Sequence, residues 1–386
     1  MKDKFNKIDK TLLFVTIILT VLGLIMIFSS SSIAAVLQYG NTEYYFFKKQ
    51  LIVVLAGLFI SFIIYFIPTE RYKELSVIGI VAIIAALIAL KTYGSVTNNA
   101  QSWFKILGFS IQPSEFAKTF IILFLACVYG SKKKFETVYN MFIPLIPCVA
   151  IFILVCLEPD LGTAAIIAII CMFIFFSLPV GKDKMLNILK ASVIIVVLFA
   201  IFALQTNQSY LTDTQSSRFN YKNPCKRYLE ETGYQVCNGY IAIHNGGLWG
   251  VGLGKSTQKY LYLPEAYTDF IYPIIVEELG MVGGLVVLIL YMILLFKILE
   301  IARNATNLRG SIIAFGTFGY ILTHICVNLG GILAIIPLTG VPLPFLSYGG
   351  SFMLNLTILL ALTQRVAIET KENKYKKEVK KDVGGR

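Results

Sequence analysis

The stretch "TLLFVTIILTVLGLIMIFSSSSI", residues 11–33, contains no charged side chain. About 20 predominantly apolar residues in a helix cross the hydrocarbon core of a bilayer, so this run is long enough to span one. It exceeds the h-region of a signal peptide, and no persuasive A-x-A cleavage site follows it. With the basic segment "MKDKFNKIDK" before it, the run reads as a retained first transmembrane helix. Similar runs recur at 46–67, 75–91, 113–130, 139–157, 161–179, 187–205, 270–296, 310–334 and 349–366. Apolar residues make up 56% of the 386 and charged residues 15%, against roughly 25% charged in a soluble domain. Mean hydropathy is +0.73. These features predict an all-α, polytopic membrane protein with about ten transmembrane helices. The net charge of +12 then reflects sidedness and gives no reason to expect a nucleic-acid partner.

Lysine and arginine set the orientation, because cytoplasmic loops carry their excess. With residues 1–10 as a basic cytoplasmic tail, 23 of the 34 basic residues fall on the cytoplasmic side. Ten spans over 11–366 place the tail 367–386 inside as well, so both termini are expected in the cytoplasm. That charged tail is expected to be disordered and able to touch anionic head groups. The large loop before the eighth span, about 206–269, falls outside. Its Asn, Gln, Ser, Tyr and Gly content suits an ordered lid or substrate platform. Five of the seven cysteines, Cys127, Cys148, Cys156, Cys171 and Cys326, lie in apolar runs and read as packing residues. Cys225 and Cys237 lie in the outer loop, where a disulfide and two free thiols fit equally well. No internal repeat emerges, which argues against the transporter folds built from inverted repeats.

Several segments place polar groups where apolar ones are expected. In "YLPEAYTDFIYPIIVEELG", 262–280, Glu265, Asp269, Glu277 and Glu278 stand at the mouth of an apolar run. Hydrocarbon disfavours ionised groups, so carboxylates kept there have structural or chemical work. Pro273 suits the first turn of a helix, which puts Asp269 at the loop–helix junction, at the outer membrane edge. It is either a helix cap or a reactive carboxylate. Glu277 and Glu278 point about 100° apart and cannot both face Asp269. For them an ion pair with another helix is the simpler reading. "FSIQPSEFAKTF", 109–120, opens a helix at Pro113, with Glu115 in the first turn and Lys118 three residues on. That spacing fits a local ion pair, or a buried cation placed to meet a diphosphate. "LEPDLGT", 157–163, puts Glu158 and Asp160 in an outer turn, where two acids suit a divalent cation or plain solvation. "IIPLTGVPLPFLSYGGSF", 335–352, holds three prolines and Gly340, Gly349 and Gly350. Non-helical backbone at membrane depth survives only inside protein or along a cavity, so this segment walls a pocket. "GGLWGVGLGKST", 246–257, imitates a phosphate loop, but Trp249 stands where a glycine is required. Lys255 takes the third glycine position of the dinucleotide pattern, so nucleotide binding is rejected, although backbone amides there can still form an anion nest. His244 and His324 are too few and too far apart for a zinc site.

The segments "QPSEFAK", "EPDLGT", "GLGKSTQKYLYLPEAYTDFIYPIIVEELGMVG" and "PLTGVPLPFLSYGGS", in this order, resemble the SEDS family. These are the polytopic bacterial cell-wall proteins that include FtsW and RodA. "RFNYKNP" and "STQKYLYLPEAYTDF" resemble the division-type FtsW and its sporulation relatives more than RodA. The chain departs from the pattern in three places. Gln101 and Ser102 stand near "QSWF" where the family usually has arginine, Tyr267 replaces a histidine, and Tyr272 and Pro273 replace Phe-Ala.

The resemblance implies a peptidoglycan glycosyltransferase of the bacterial cytoplasmic membrane. It would polymerise lipid II, an undecaprenyl-diphosphate-linked disaccharide peptide, into β-1,4 glycan for the division septum. It also implies partners: a class B penicillin-binding protein and other division proteins. Such an inverting reaction needs a general base, and the family match points to Asp269. Lys118, Arg218 and a divalent cation, Mg²⁺ or Mn²⁺, would neutralise the departing diphosphate. Glu115, Glu158 and Asp160 would orient Lys118 or hold the metal, and Ser347, Gly349 and Gly350 would shape the pocket. The alternative is a lipid II flippase or other polytopic transporter, which needs polar groups through the full depth of the membrane and not only at one face. A non-catalytic scaffold for the division machinery would tolerate loss of Asp269.

Overall fold

The computed structural model describes residues 7–384 except 98–99, 107, 132–137, 159, 182, 184–185, 188–189 and 191–220. The apolar runs fold as helices because a helix satisfies its own backbone hydrogen bonds where no water can. Helix α1 is Lys10–Leu37, capped by the Asp9 carboxylate, which accepts from the Leu12 amide at 3.0 Å. It is followed by α2 Tyr45–Phe66, α3 Tyr72–Tyr93 and α4 Pro113–Ser131. A short α5, Val138–Phe142, leads through a 3-10 turn into α6, Ile146–Cys156. Then come α7 Leu161–Phe176, α8 Glu231–Gly246, α9 Ile271–Asn304, α10 Leu308–Ile332 and α11 Gly350–Gly384. Among the described residues 8 helical stretches are long and apolar enough to cross a membrane, and α7 is a shorter apolar helix. The expected span at 187–205 lies outside the described residues except for positions 187 and 190. Helices α4, α10 and α11 are the most enclosed, whereas α1 to α3 and α9 turn apolar faces outward.

Two elements differ from the sequence reading. Between α3 and α4 lies a three-stranded antiparallel sheet, β1 Ser95–Thr97, β2 Ala100–Ile106 and β3 Phe109–Ile111. Phe104 pairs with Ile111 and Ile106 with Phe109, across a turn in which Gly108 has φ 79°. Strands this short leave little periodic signal between long apolar runs. Second, residues 367–384 are not a separate disordered tail, because α11 runs on through them. Arg365 is buried and donates to Glu369 at 3.2 Å and to the Tyr65 carbonyl at 3.2 Å. Glu369 in turn accepts from the Thr69 amide at 2.7 Å and the Thr69 hydroxyl at 2.6 Å. The turn between α2 and α3 is thereby fastened to α11.

The turns sort into two sets at opposite ends of the bundle. At one end Lys297 of α9 pairs with Asp9 at 3.1 Å, near the Glu369–Thr69 contacts. At the other, Lys49 donates to the Gly108 carbonyl at 2.8 Å and the Gln112 amide to Ser351 at 3.0 Å. There too the Gln112 side chain donates to Asp160 at 3.1 Å, and the Tyr39 and Tyr267 hydroxyls meet at 3.3 Å. The sheet, the α6–α7 turn, the loop before α9 and the α10–α11 segment thus share one end. Cys225 and Cys237 form a disulfide that ties the 3-10 turn Pro224–Arg227 to α8, which closes the choice left open by the sequence.

Candidate active site

The backbone before α9 makes a tight turn. Glu265 sits at φ 53°, and its carbonyl accepts from the amides of Thr268 at 3.2 Å and Phe270 at 3.1 Å. The cap position of α9 falls on Phe270, which makes no side-chain cap bond. Asp269 is therefore not the helix cap. One of its carboxylate oxygens accepts from the Thr268 hydroxyl at 3.1 Å, and a Cβ added at Gly340 would lie 3.7 Å from the other. At 8% exposed, Asp269 is more enclosed than a position at the membrane edge suggested.

Helix α10 supplies the floor. Asn328 donates from Nδ2 to the Asp269 carbonyl at 2.7 Å and to the Val341 carbonyl at 2.8 Å. One turn earlier, about 6 Å along the axis, His324 places Nδ1 3.3 Å from the Pro342 carbonyl and Nε2 3.2 Å from Lys118 Nζ. An ammonium can only donate, so Nε2 accepts and Nδ1 carries the proton given to Pro342. Lys118 also pairs with Glu115 at 2.8 Å. Asp269, Asn328, His324, Lys118 and Glu115 thus line up as a series of polar groups from that end of the bundle into its interior. Lys118 is fully buried. In this arrangement its ammonium braces α4 against α10. Sequence reasoning weighed His324 only as a metal ligand and passed over Asn328. The available signal was two polar residues at i and i+4 on one face of an apolar helix.

Residues 333–349 are non-helical, as their prolines and glycines require. Ser347 closes a turn within them, accepting from the Leu343 amide at 2.8 Å through its hydroxyl. The Gly349 amide donates to Gln50 at 3.2 Å, the Tyr348 amide to the Tyr267 carbonyl at 2.8 Å, and Gly350 begins α11. These residues shape the wall beside Asp269 through their backbone.

The acidic pair of the α6–α7 turn divides its work. Asp160 caps α7, accepting from the Thr163 amide at 3.0 Å, and holds Gln112. Glu158 is only 5% exposed, and neither of its carboxylate oxygens has a hydrogen-bond partner among the described residues. Burial first, then the charge of Asp160, pushes the Glu158 carboxyl up to about 8, against smaller opposing effects of Ser102 and Lys91. No three His, Cys, Asp or Glu gather into a metal cage among the described residues. Glu158 and Asp160 are the two carboxylates of this turn that could hold an ion such as Mg²⁺, which keeps waters or takes phosphate oxygens for the rest of its shell. Arg218 lies outside the described residues.

Glu277 and Glu278 are both buried, and their partners come chiefly from the loop before α9, not from a facing helix as expected. Lys259 pairs with Glu278 at 2.9 Å and also reaches the Gly254 carbonyl at 2.7 Å, while Ser29 of α1 donates to Glu278 at 2.7 Å. Glu277 accepts from the hydroxyls of Ser256 and Thr257 and from Asn245 at 3.2 Å. Just beyond, Gly280 breaks α9 with φ 75°. The amides of Val251 and Gly252 donate to the carbonyls of Glu277 and Glu278 at 2.9 and 3.0 Å, and those of Met281 and Val282 to Gly247 and Leu248 at 2.9 and 3.2 Å. A Cβ on Gly280 would stand 2.2 Å from the Leu248 carbonyl, so only glycine fits. Helix α9 is thus a buried piece, 271–279, and an outward-facing piece from Met281, with loop backbone filling the seam.

The FtsW/RodA/SpoVE family model, described as cell cycle protein, matches residues 9–372. The probable peptidoglycan glycosyltransferase FtsW of Bacillus subtilis (strain 168) is 37% identical, with 98% of this chain and 95% of that protein covered. Stage V sporulation protein E of the same organism is 34% identical over 93% of this chain and 96% of its own length. A chain from "Structural coordination of polymerization and crosslinking by a peptidoglycan synthase complex" shares the fold with TM-score 0.75 at 23% identity, over 94% of this chain and 98% of that one. The rod shape determining protein RodA of Thermus thermophilus gives TM-score 0.67 at 23% identity, over 94% and 97%. On the match across 9–372, the chain belongs to the FtsW/RodA/SpoVE cell cycle protein family, the SEDS family, and stands nearer FtsW than RodA.

Proposed function

We propose that this chain is an inverting peptidoglycan glycosyltransferase that polymerises lipid II on the outer face of the cytoplasmic membrane during septum synthesis. The observation that carries the reading is Asp269, an enclosed carboxylate that caps no helix and is backed by Asn328 and the wall 333–349. In the reaction the acceptor's 4-hydroxyl oxygen bonds to the donor's anomeric carbon while the bond to undecaprenyl diphosphate breaks. The electron pair leaves with the diphosphate, the α linkage becomes β, and Asp269 takes the hydroxyl proton. A positioned base contributes about 10²–10⁴-fold, so stabilising the leaving diphosphate supplies most of the remainder. Glu158 and Asp160 would hold Mg²⁺ or Mn²⁺, which when bound sets positive charge against the diphosphate. Arg218 adds a second cation. Lys118 and Glu115 act through His324, fixing the helix that presents Asn328. Ser347, Gly349 and Gly350 shape the wall.

The reading puts both termini in the cytoplasm and the Asp269 end outside, supported by the basic-residue count and by the Cys225–Cys237 disulfide, which suits an oxidising compartment. A class B penicillin-binding protein and other division proteins are the partners in this reading. The test is glycan polymerisation from purified lipid II by the chain co-purified with that penicillin-binding protein, with and without Mn²⁺. Polymer that depends on the cation supports both assignments. Absence of polymer, with lipid II crossing proteoliposomes, replaces the reading with a flippase.

A further inference from the structure

The turn that fills the break in α9 carries apolar side chains that the proposed chemistry leaves unused. Residues 247–254 expose Leu248, Trp249, Val251 and Leu253, with Trp249 80% and Leu248 67% exposed. Their position is fixed by backbone bonds, since the Gly247 and Leu248 carbonyls accept from the amides of Met281 and Val282. Leu248 and Trp249 are therefore seated level with the first residues of the outward-facing piece of α9. That piece continues with Val282, Leu285, Val286, Ile289 and Met292 exposed, an apolar band long enough to face lipid. Turn and helix thus present adjoining apolar surfaces. Met281–Asn304 extends about 36 Å at 1.5 Å per residue, more than the hydrocarbon core of about 30 Å, so its first turn reaches the head-group boundary. Lys255, also exposed, follows the turn and suits a lipid phosphate.

We infer that residues 247–254 form an interfacial wedge, with Leu248 and Trp249 inserted among the phospholipids of the leaflet at that end of the bundle. The wedge shares its backbone bonds with Glu277, Glu278, Met281 and Val282. It therefore ties the bilayer surface to the buried piece 271–279 that follows Asp269. The inference rests on the membrane-spanning fold and not on the glycosyltransferase reading.

The sequence has two tryptophans, Trp103 and Trp249. In the full chain with Trp103→Phe, reconstituted in phosphatidylcholine–phosphatidylglycerol vesicles, Trp249 is the only indole emitter. Phospholipids brominated high on the acyl chain should quench most of its emission, those brominated near the chain end less, and aqueous iodide little. Strong iodide quenching with no bromolipid effect overturns the wedge. Bromolipid quenching that disappears when the class B penicillin-binding protein is co-reconstituted also overturns it, by assigning the patch to a protein partner. If Trp103→Phe fails to fold, wild type is compared with Trp249→Phe. The bromolipid-sensitive component must then vanish with Trp249, and its persistence contradicts the inference.

Discussion

At the scale of single residues, Asp269 and Glu158, two carboxyls at one end of the bundle, have opposite requirements. In the proposed reaction Asp269 must be ionised to accept a proton, and Thr268 and Asn328 fix its position without using it as a cap. Asp269→Asn should lower polymerisation by about 10²–10⁴-fold while leaving lipid II binding intact. Glu158 is held up at about 8 by burial and by Asp160. A raised acid keeps its proton in the folded chain when the unfolded chain has lost it. Stability is therefore level below the ordinary glutamate value, falls as pH rises from there to about 8, and is level again above. Thermal unfolding between pH 5 and 8 should show that slope in wild type, and Glu158→Gln should remove it. Added Mg²⁺ should flatten the wild-type slope, and no effect of Mg²⁺ would detach the pair from the cation. Asp269 was legible in the sequence because a carboxylate beside an apolar run stands out. Asn328 and His324 were not, because their task appears only when the carbonyls of Val341 and Pro342 lie against α10.

At the scale of elements, the broken α9 is the part on which the site depends. Lys259→Met would leave Glu278 charged and buried without its partner, a loss of about 3–5 kcal/mol. Lys259→Met with Glu278→Gln should recover part of it, measured as thermal unfolding of the two variants against wild type. Gly280→Ala would force a side chain into the left-handed region and against the Leu248 carbonyl. It should lower both stability and polymerisation without touching Asp269. Pro273 announced the start of this helix, but nothing in "EELGMVGGL" singled out Gly280 from the glycines after it. Only the backbone of 247–252 identifies it. Lys259 was hidden for the same reason, in a polar loop where a lysine is unremarked until the buried Glu278 closes on it.

Over the whole molecule, the spans were legible because a helix that crosses a bilayer must be long and apolar. The small sheet and the extension of α11 were not legible, since short strands and a charged helix end both look like loop in composition. Sidedness has its own test. The Cys225–Cys237 pair should resist alkylation in intact cells until a reductant is added, and reduction should cost about 3 kcal/mol for a loop of this size. The measurement that bears most directly on the account is single-turnover glycan polymerisation from lipid II by wild type and by Asp269→Asn. Both are co-purified with the class B penicillin-binding protein and matched for folding and lipid II binding. The account predicts polymer from wild type and essentially none from the variant. Equal polymer from both would remove Asp269 from the chemistry and leave the outer-end cluster as architecture alone.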